Sequence, residues 1–191
     1  LLWALTGNFA KPGGVNTHSS LVPLFNYGAT GNEPRDPVTD SAVISGLMQC
    51  NEIAESVLTE HPERLRAMFI ESANPVHSLA DSPAFRRAMR ELEFSVVIDV
   101  AFTETAREAD YILPASTQYE KVETTFFALS FPDNVMTVRP PMVAPLDGTL
   151  PEPEIHARLL KAMGVFDEEV LGALRDAALE GRKEFAGAFM E

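Results

Sequence analysis

Between Arg66 and Pro114 short apolar runs alternate with helix-forming stretches, and this alternation constrains the fold more than any other feature of the chain. Arg66-Ala67-Met68-Phe69-Ile70-Glu71 is a short strand-like run that ends in Ser72-Ala73-Asn74-Pro75. Pro75 is expected to hold Asn74 extended and to prevent a helix from starting there. Asp81 or Ser82 caps a helix with Pro83 in its first turn and Phe85, Ala88, Met89 and Leu92 on one face. Phe94-Ser95-Val96-Val97-Ile98-Asp99 reads as a buried strand, Thr103-Glu104-Thr105-Ala106 opens a short helix, and Tyr111-Ile112-Leu113 is a strand ended by Pro114. Strand, helix, strand, helix, strand predicts an α/β fold: a mainly parallel sheet, right-handed crossovers and helices on both faces. Ligands of such sheets bind outside the carboxyl ends of the strands. Those ends carry Ser72-Ala73-Asn74-Pro75, Asp99 and Pro114-Ala115-Ser116, all polar or irregular.

The flanks are less regular. Leu1 to Leu5 is apolar and stops at Thr6-Gly7-Asn8, like the end of a helix cut from something longer. Residues 11 to 37 are rich in Gly, Pro and Asn, and a loop of this length is either functional or poorly ordered in isolation. Thr39 or Asp40 is expected to cap a helix running to about Glu60. Residues 124 to 146 fit a β-hairpin arm, with Pro132-Asp133-Asn134 as its turn. Helices follow from Glu152 to Gly164 and from Asp167 through Ala178. The division expected is 1–40, a helix end and a loop that contacts cofactor or neighbouring domains, and 41–191, a single α/β domain.

Composition excludes several classes. The 191 residues carry a net charge of −13, with no Lys/Arg cluster, which excludes a nucleic-acid surface. No apolar run approaches the roughly 20 residues that cross a bilayer. The single cysteine, Cys50, forms neither an internal disulfide nor a cysteine metal cage, and it leaves the compartment unknown.

Residue chemistry alone gives no reaction. Neither GxGxxG nor GxxxxGK[ST] occurs, and Lys11-Pro12-Gly13-Gly14 follows no strand. His18, His61, His77 and His156 are scattered without metal-ligand spacing. Ser19-Ser20 and Ser116-Thr117 have no partner base, and Glu104, Glu120 and Glu123 read as a solvated face before they read as acid–base groups.

The strand ends nevertheless carry a pattern. Phe69 to Pro75 resembles the strand and Asn-Pro loop of molybdopterin oxidoreductases of the dimethyl-sulfoxide-reductase family. Phe94 to Ala106 is similar to that family's strand, Asp, then Thr-Glu-Thr-Ala. Ala109-Asp110-Tyr111-Ile112-Leu113-Pro114 matches its Ala-Asp-apolar-apolar-Leu-Pro signature, and Tyr119-Glu120-Lys121 follows as Glu-Lys or Glu-His does there. Leu5-Thr6-Gly7-Asn8 with Lys11-Pro12-Gly13-Gly14, and the helix Ile155 to Gly164, match in the same order. One stretch departs: the family's Glu-Gly-Thr and its later Asn and Arg are not found in residues 122–131, where Thr124 replaces the Gly.

The resemblance implies a piece of a large enzyme that binds molybdenum or tungsten between two molybdopterin guanine dinucleotides, many members adding an iron–sulfur cluster in an amino-terminal domain. It implies that this chain is the third, α/β domain covering one dinucleotide, inactive alone, with the metal ligand elsewhere and Cys50 not replacing it. Ser72, Asn74, Asp99, Thr103 and Lys121 are the implied cofactor-binding residues, with no catalytic or metal-ligating residue in this piece. Simple helix capping is the plain alternative for Asp99 and Thr103. Implied partners are the remaining domains of the same chain and electron-transfer subunits, with neither nucleic acid nor membrane insertion. The alternative reading of the whole is a non-catalytic, degenerate molybdopterin-like scaffold subunit of an electron-transfer complex.

Overall fold

The structure is a computed structural model. It describes residues 2–8, 11–14, 19–20, 33–43, 46–124, 127–128, 137–165 and 168–181. The chain divides into two compact units, Leu1–Thr149 and Leu150–Glu191.

In chain order the first unit contains α1 (Leu2–Leu5), β1 (Ser19–Ser20), α2 (Ile53–Val57), β2 (Ala67–Glu71), α3 (Pro75–Ser78), α4 (Ser82–Glu91), β3 (Phe94–Asp99), a single 3-10 turn (Ala106–Glu108), β4 (Tyr111–Pro114), β5 (Glu123–Thr124), β6 (Phe127–Ala128) and β7 (Val138–Arg139). The second contains α5 (Glu152–Ala162) and α6 (Glu168–Glu180). Both sit where the sequence places helices, and α5 ends at Gly164, whose φ of 68° suits the left-handed turn that closes a helix.

The centre is a parallel sheet in the order β2-β3-β4, with Ala67 beside Phe94 and Val96 beside Tyr111. The three expected strands are therefore parallel neighbours. Helix α4 forms because Asp81 accepts a hydrogen bond from Ala84 N at 2.9 Å and Pro83 presets the first turn. It buries Phe85, Ala88 and Met89 against Ile70 and Val97 of the sheet, with Ala54 and Val57 of α2 and Val76 of α3 completing the core. Ser95 and Asp110 pin the amino ends of β3 and β4: the Asp110 carboxylate accepts from Ser95 N and Oγ, and Ser95 Oγ accepts from Asp110 N. Two short antiparallel pairs, β1 with β6 and β5 with β7, complete the strand content described. The β5–β7 pair is the base of the expected arm; residues 129–136 lie outside the described residues, as do 15–18 and 21–32 of the long loop.

Two local expectations are corrected. The helix expected from Thr39 or Asp40 to Glu60 is reduced to Ile53–Val57. Asp36 is the reason: its buried carboxylate accepts from Val38 N, Thr39 N, Thr39 Oγ1 and Ser56 Oγ, closing a turn instead. Asp40 then takes a left-handed φ of 55° and pairs with Arg35, and Arg35 bridges Ala42 in antiparallel fashion. Pro75 does not block a helix but begins one, the single turn α3, because its fixed φ is already helical at the first position.

Candidate functional site

Parallel strands place all their carboxyl ends on one edge of the sheet, where Ser72, Asp99 and Ala115 meet. Ser72 N donates to Ile98 O at 3.0 Å and Ala115 N donates to Asp99 O at 3.0 Å, so Ser72 and Asp99 are neighbours. Ser72 is exposed and holds a left-handed φ of 52°, rare for a residue with a side chain. Such backbone strain persists where surrounding structure over-determines it, and it concentrates at functional sites. Asp99 is half-buried. Its Oδ1 accepts from Ala101 N at 3.0 Å, and Oδ2 takes no hydrogen bond among the described residues.

Asn74 locks this edge together. Its Nδ2 donates to Glu104 Oε2 at 2.7 Å, and its Oδ1 accepts from Thr105 Oγ1 at 2.8 Å and Thr105 N at 3.2 Å. Thr105 is fully buried, and its Oγ1 also accepts from Val76 N at 3.1 Å. The loop after β2 is thus tied to the loop after β3 through one amide. The hydrogen bond from Asn74 is the main reason the Glu104 carboxyl is held below its ordinary value, with the positive charges of His77 and Arg107 adding to it.

Thr103 Oγ1 accepts from Ala106 N at 3.2 Å, which makes Thr103 a cap for the 3-10 turn. The N–H groups of this turn are committed inside the protein: Thr105 to Asn74, Ala106 to Thr103 Oγ1 and Arg107 to Thr103 O. An anion at this turn therefore meets side chains and not the N–H groups of Thr105, Ala106 and Arg107. Arg107, its guanidinium 5.6 Å from the centre of the Phe102 ring, brings positive charge to the same loop.

After β4 the chain is held by Glu120, which is buried. Its Oε2 accepts from Thr117 N at 2.7 Å and Oγ1 at 2.8 Å, and its Oε1 accepts from Leu146 N at 3.0 Å. The bonds from Thr117 are the main reason its carboxyl stays below the ordinary value, against the effect of burial. Lys121 follows, mostly shielded, its ammonium 3.9 Å from Glu123. Thr124, where the family pattern has Gly, sits in β5 with its hydroxyl oxygen buried and, among the described residues, without a hydrogen-bond partner.

Of the five expected residues, Ser72, Asn74, Asp99 and Thr103 are brought together at the carboxyl edge by the sheet and its two loops, and Lys121 lies on the segment that follows the third strand. Glu104, Thr105 and Arg107 belong to the same edge and were not singled out as binding residues by sequence. The signal available was the Thr-Glu-Thr-Ala motif itself, whose middle residues are those that Asn74 grips. Among the described residues no group of three or more His, Cys, Asp or Glu is placed to hold a metal ion, and no helix is long and apolar enough to cross a membrane.

The domain is a parallel α/β sheet with a polar, partly strained carboxyl edge, and the comparisons say to which family it belongs. The family model described as molybdopterin oxidoreductase matches residues 2–141, and the chain belongs to this family. It is 26% identical to the trimethylamine-N-oxide reductase of Vibrio parahaemolyticus, over 88% of this chain and 24% of the relative. It is 34% identical to a formate dehydrogenase 2 subunit alpha of Methanococcus maripaludis, over 84% of this chain and 25% of that one. Among solved structures, the acetylene hydratase from Pelobacter acetylenicus shares the fold, with a TM-score of 0.54 at 19% identity over 64% of this chain and 16% of the other. The chain spans about a quarter of the length of the curated relatives it matches.

Proposed function

We propose that this chain is the part of a larger molybdenum or tungsten oxidoreductase that helps to hold one molybdopterin guanine dinucleotide. Such a cofactor supplies the redox chemistry of its metal; this chain supplies recognition and shape. The observation that carries the reading is Asp99, at the carboxyl end of the central strand with Oδ2 uncommitted. A carboxylate accepts two hydrogen bonds side by side from the N1–H and 2-amino group of guanine, or from ribose hydroxyls, and Oδ1 keeps a second lone pair for this after serving Ala101. Ser72 offers a hydroxyl beside it on a loop already bent into place, and Thr103 has a hydroxyl hydrogen to donate. Arg107 and Lys121 bring the positive charge that a pyrophosphate requires. Asn74 acts as a positioning residue, since its amide holds the two loops at their present separation.

In this reading the chain alone carries no redox activity. The metal ligand, the second dinucleotide site and any iron–sulfur cluster belong to other domains, with electron-transfer subunits as further partners. The test is cofactor content in the full-length parent protein. Asp99→Ala should lower bound molybdenum and guanine nucleotide severalfold while leaving folding intact. Unchanged content overturns the role of Asp99. A parent that binds neither metal nor pterin overturns the enzyme reading in favour of a scaffold subunit.

A further inference from the structure

A helix that joins two parallel strands carries the chain back to the edge where the first strand began, so α4 ends at the amino edge of the sheet. Glu93 N donates to Arg66 O there, just ahead of β3 and β2. At this edge, away from Ser72 and Asp99, a groove of about 430 Å³ opens between the ends of α2 and α4. Val57 and Leu58 give it an apolar wall. The fold brings Arg64, ahead of β2, beside Arg87 and Arg90 of α4, residues that lie apart in sequence, and Glu60 and Glu91 line the same groove.

Most of the positive charge here is answered within the chain. Glu93 takes Arg64 at 3.4 Å and Arg66 at 3.7 Å, and the shielded Glu108 takes Arg86 and Arg90, each at 2.7 Å. Arg87 is different. It is exposed, and among the described residues its guanidinium forms no ion pair or hydrogen bond. The carboxylates of Glu60 and Glu91, in the same groove, are equally uncommitted among the described residues. The groove thus holds unused charge of both signs around an apolar wall.

We infer that this groove docks a segment of a separate partner protein of basic net charge. The segment presents a carboxylate to Arg87, an apolar side chain to Leu58 and a basic side chain to Glu60 or Glu91. A guanidinium meets a carboxylate through two parallel hydrogen bonds, which fixes direction as well as strength. Glu60 and Glu91 repel a run of acids or of phosphates, so the complementary segment is mixed in charge. The net charge of −13 attracts a basic partner over distance, and the groove then sets the register of contact. Interfaces that never open are apolar at their centre and poor in charge, whereas this groove keeps the polar make-up of a surface that meets water between encounters. The inference stands whether or not the carboxyl edge holds a dinucleotide, since the groove lies at the other end of the strands.

The experiment pans a phage-displayed library of random peptides on the full-length parent, with the Arg87→Ala parent used to remove peptides that ignore the groove. The sequences left should combine Asp or Glu with an apolar and a basic residue. A synthetic peptide of the most frequent sequence should bind the parent about tenfold more tightly than the Arg87→Ala variant, with Arg87→Lys in between, because lysine keeps the charge and loses the fork. Its affinity should fall as salt is raised. An absence of sequences that depend on Arg87 overturns the proposal, and so do sequences that are purely acidic. Displacement of the peptide by an equal concentration of inorganic phosphate also overturns it, as the mark of a site for free anions. Phenylglyoxal, which modifies exposed arginines, reports what covers the groove. Arg87 should react as fast in the parent as in the 191-residue chain. Slower reaction in the parent means that its own polypeptide fills the groove, which overturns a separate partner. Both variants should unfold at the same urea concentration as the unaltered parent, and a lower midpoint overturns the premise that Arg87 is uncommitted.

Discussion

The two faces of the parallel sheet have opposite fates. On one, Ile70, Val97 and Ile112 form a row across the three strands and lie beneath α2, α3 and α4. On the other, Phe94 stacks between Phe69 and Tyr111, with ring centres 6.1 and 5.6 Å apart, and the three remain 55%, 39% and 60% exposed, in the order Phe69, Phe94, Tyr111. The central strand is the exception, since Val96 and Ile98 on that second face are buried. One face thus completes its core with α3 and α4 of the β2–β3 crossover and with α2, which precedes the sheet. The other leaves Phe69, Phe94 and Tyr111 exposed.

This contrast can be broken by experiment. The largest effect is expected under the helices: Phe85→Ala should destabilise the chain by about 3–5 kcal/mol in urea unfolding, because the ring is 2% exposed and leaves a cavity. A loss below about 1 kcal/mol would show that this face is not the closed core described. Asn74→Ala comes next, at about 1–3 kcal/mol, since it strips the buried Thr105 N–H and hydroxyl of their acceptor. If Asn74→Ala unfolds at the same urea concentration as the parent sequence, the link between the two loops carries no stability.

Acid should act more gradually. Glu104, Glu108 and Glu120 are all held below their ordinary values: Glu104 mainly by Asn74, Glu108 mainly by Arg90 and Glu120 mainly by Thr117. Groups depressed in the folded state stabilise it at pH above the unfolded value of about 4.3, and that contribution is lost as pH falls through the lower folded values. Stability measured against pH should therefore be flat near neutrality and decline below about pH 4.3. Glu120→Gln should flatten part of that decline. A profile unchanged by the substitution would remove Glu120 from the account. The smallest effect belongs to the open face, where Phe94→Ala should cost less than about 1 kcal/mol in the chain. A cost equal to that of Phe85→Ala would mean that the two faces are equally buried in solution.

Sequence reading succeeded where one local signal decides. The strands β2, β3 and β4 are short apolar runs, α4 has Asp81 and Pro83 at its start, and α5 has Gly164 after its end. It failed at residues 40–43 and 46–52 because one contact, Ser56 Oγ on Asp36, joins positions far apart in sequence and helps to turn the chain before a helix can begin. It misjudged Pro75 for a related reason, since the same residue that forces its predecessor out of the helix is well suited to the first helical position. At the site, the strand ends placed Ser72, Asn74 and Asp99 on one edge of the sheet, and the structure has them there. The partners of Asn74 were invisible, because an amide that grips Glu104 and Thr105 looks in sequence like one offered to a ligand.

The strand order has a further consequence for how the chain reaches this state. Order in the sheet is also order in the chain: β2 pairs with β3, and β3 pairs with β4. Each strand therefore finds its neighbour in the next one synthesised, across a single crossover, which keeps the contacts local and folding fast for a parallel sheet. A nascent chain can lay down β2, cover it with α4 and add β3 and β4 in turn, in the direction of synthesis. Permuting the chain between β3 and β4 would preserve every hydrogen bond of the finished sheet while making its last pairing a long-range one. Refolding of such a permutant should be slower at nearly unchanged stability.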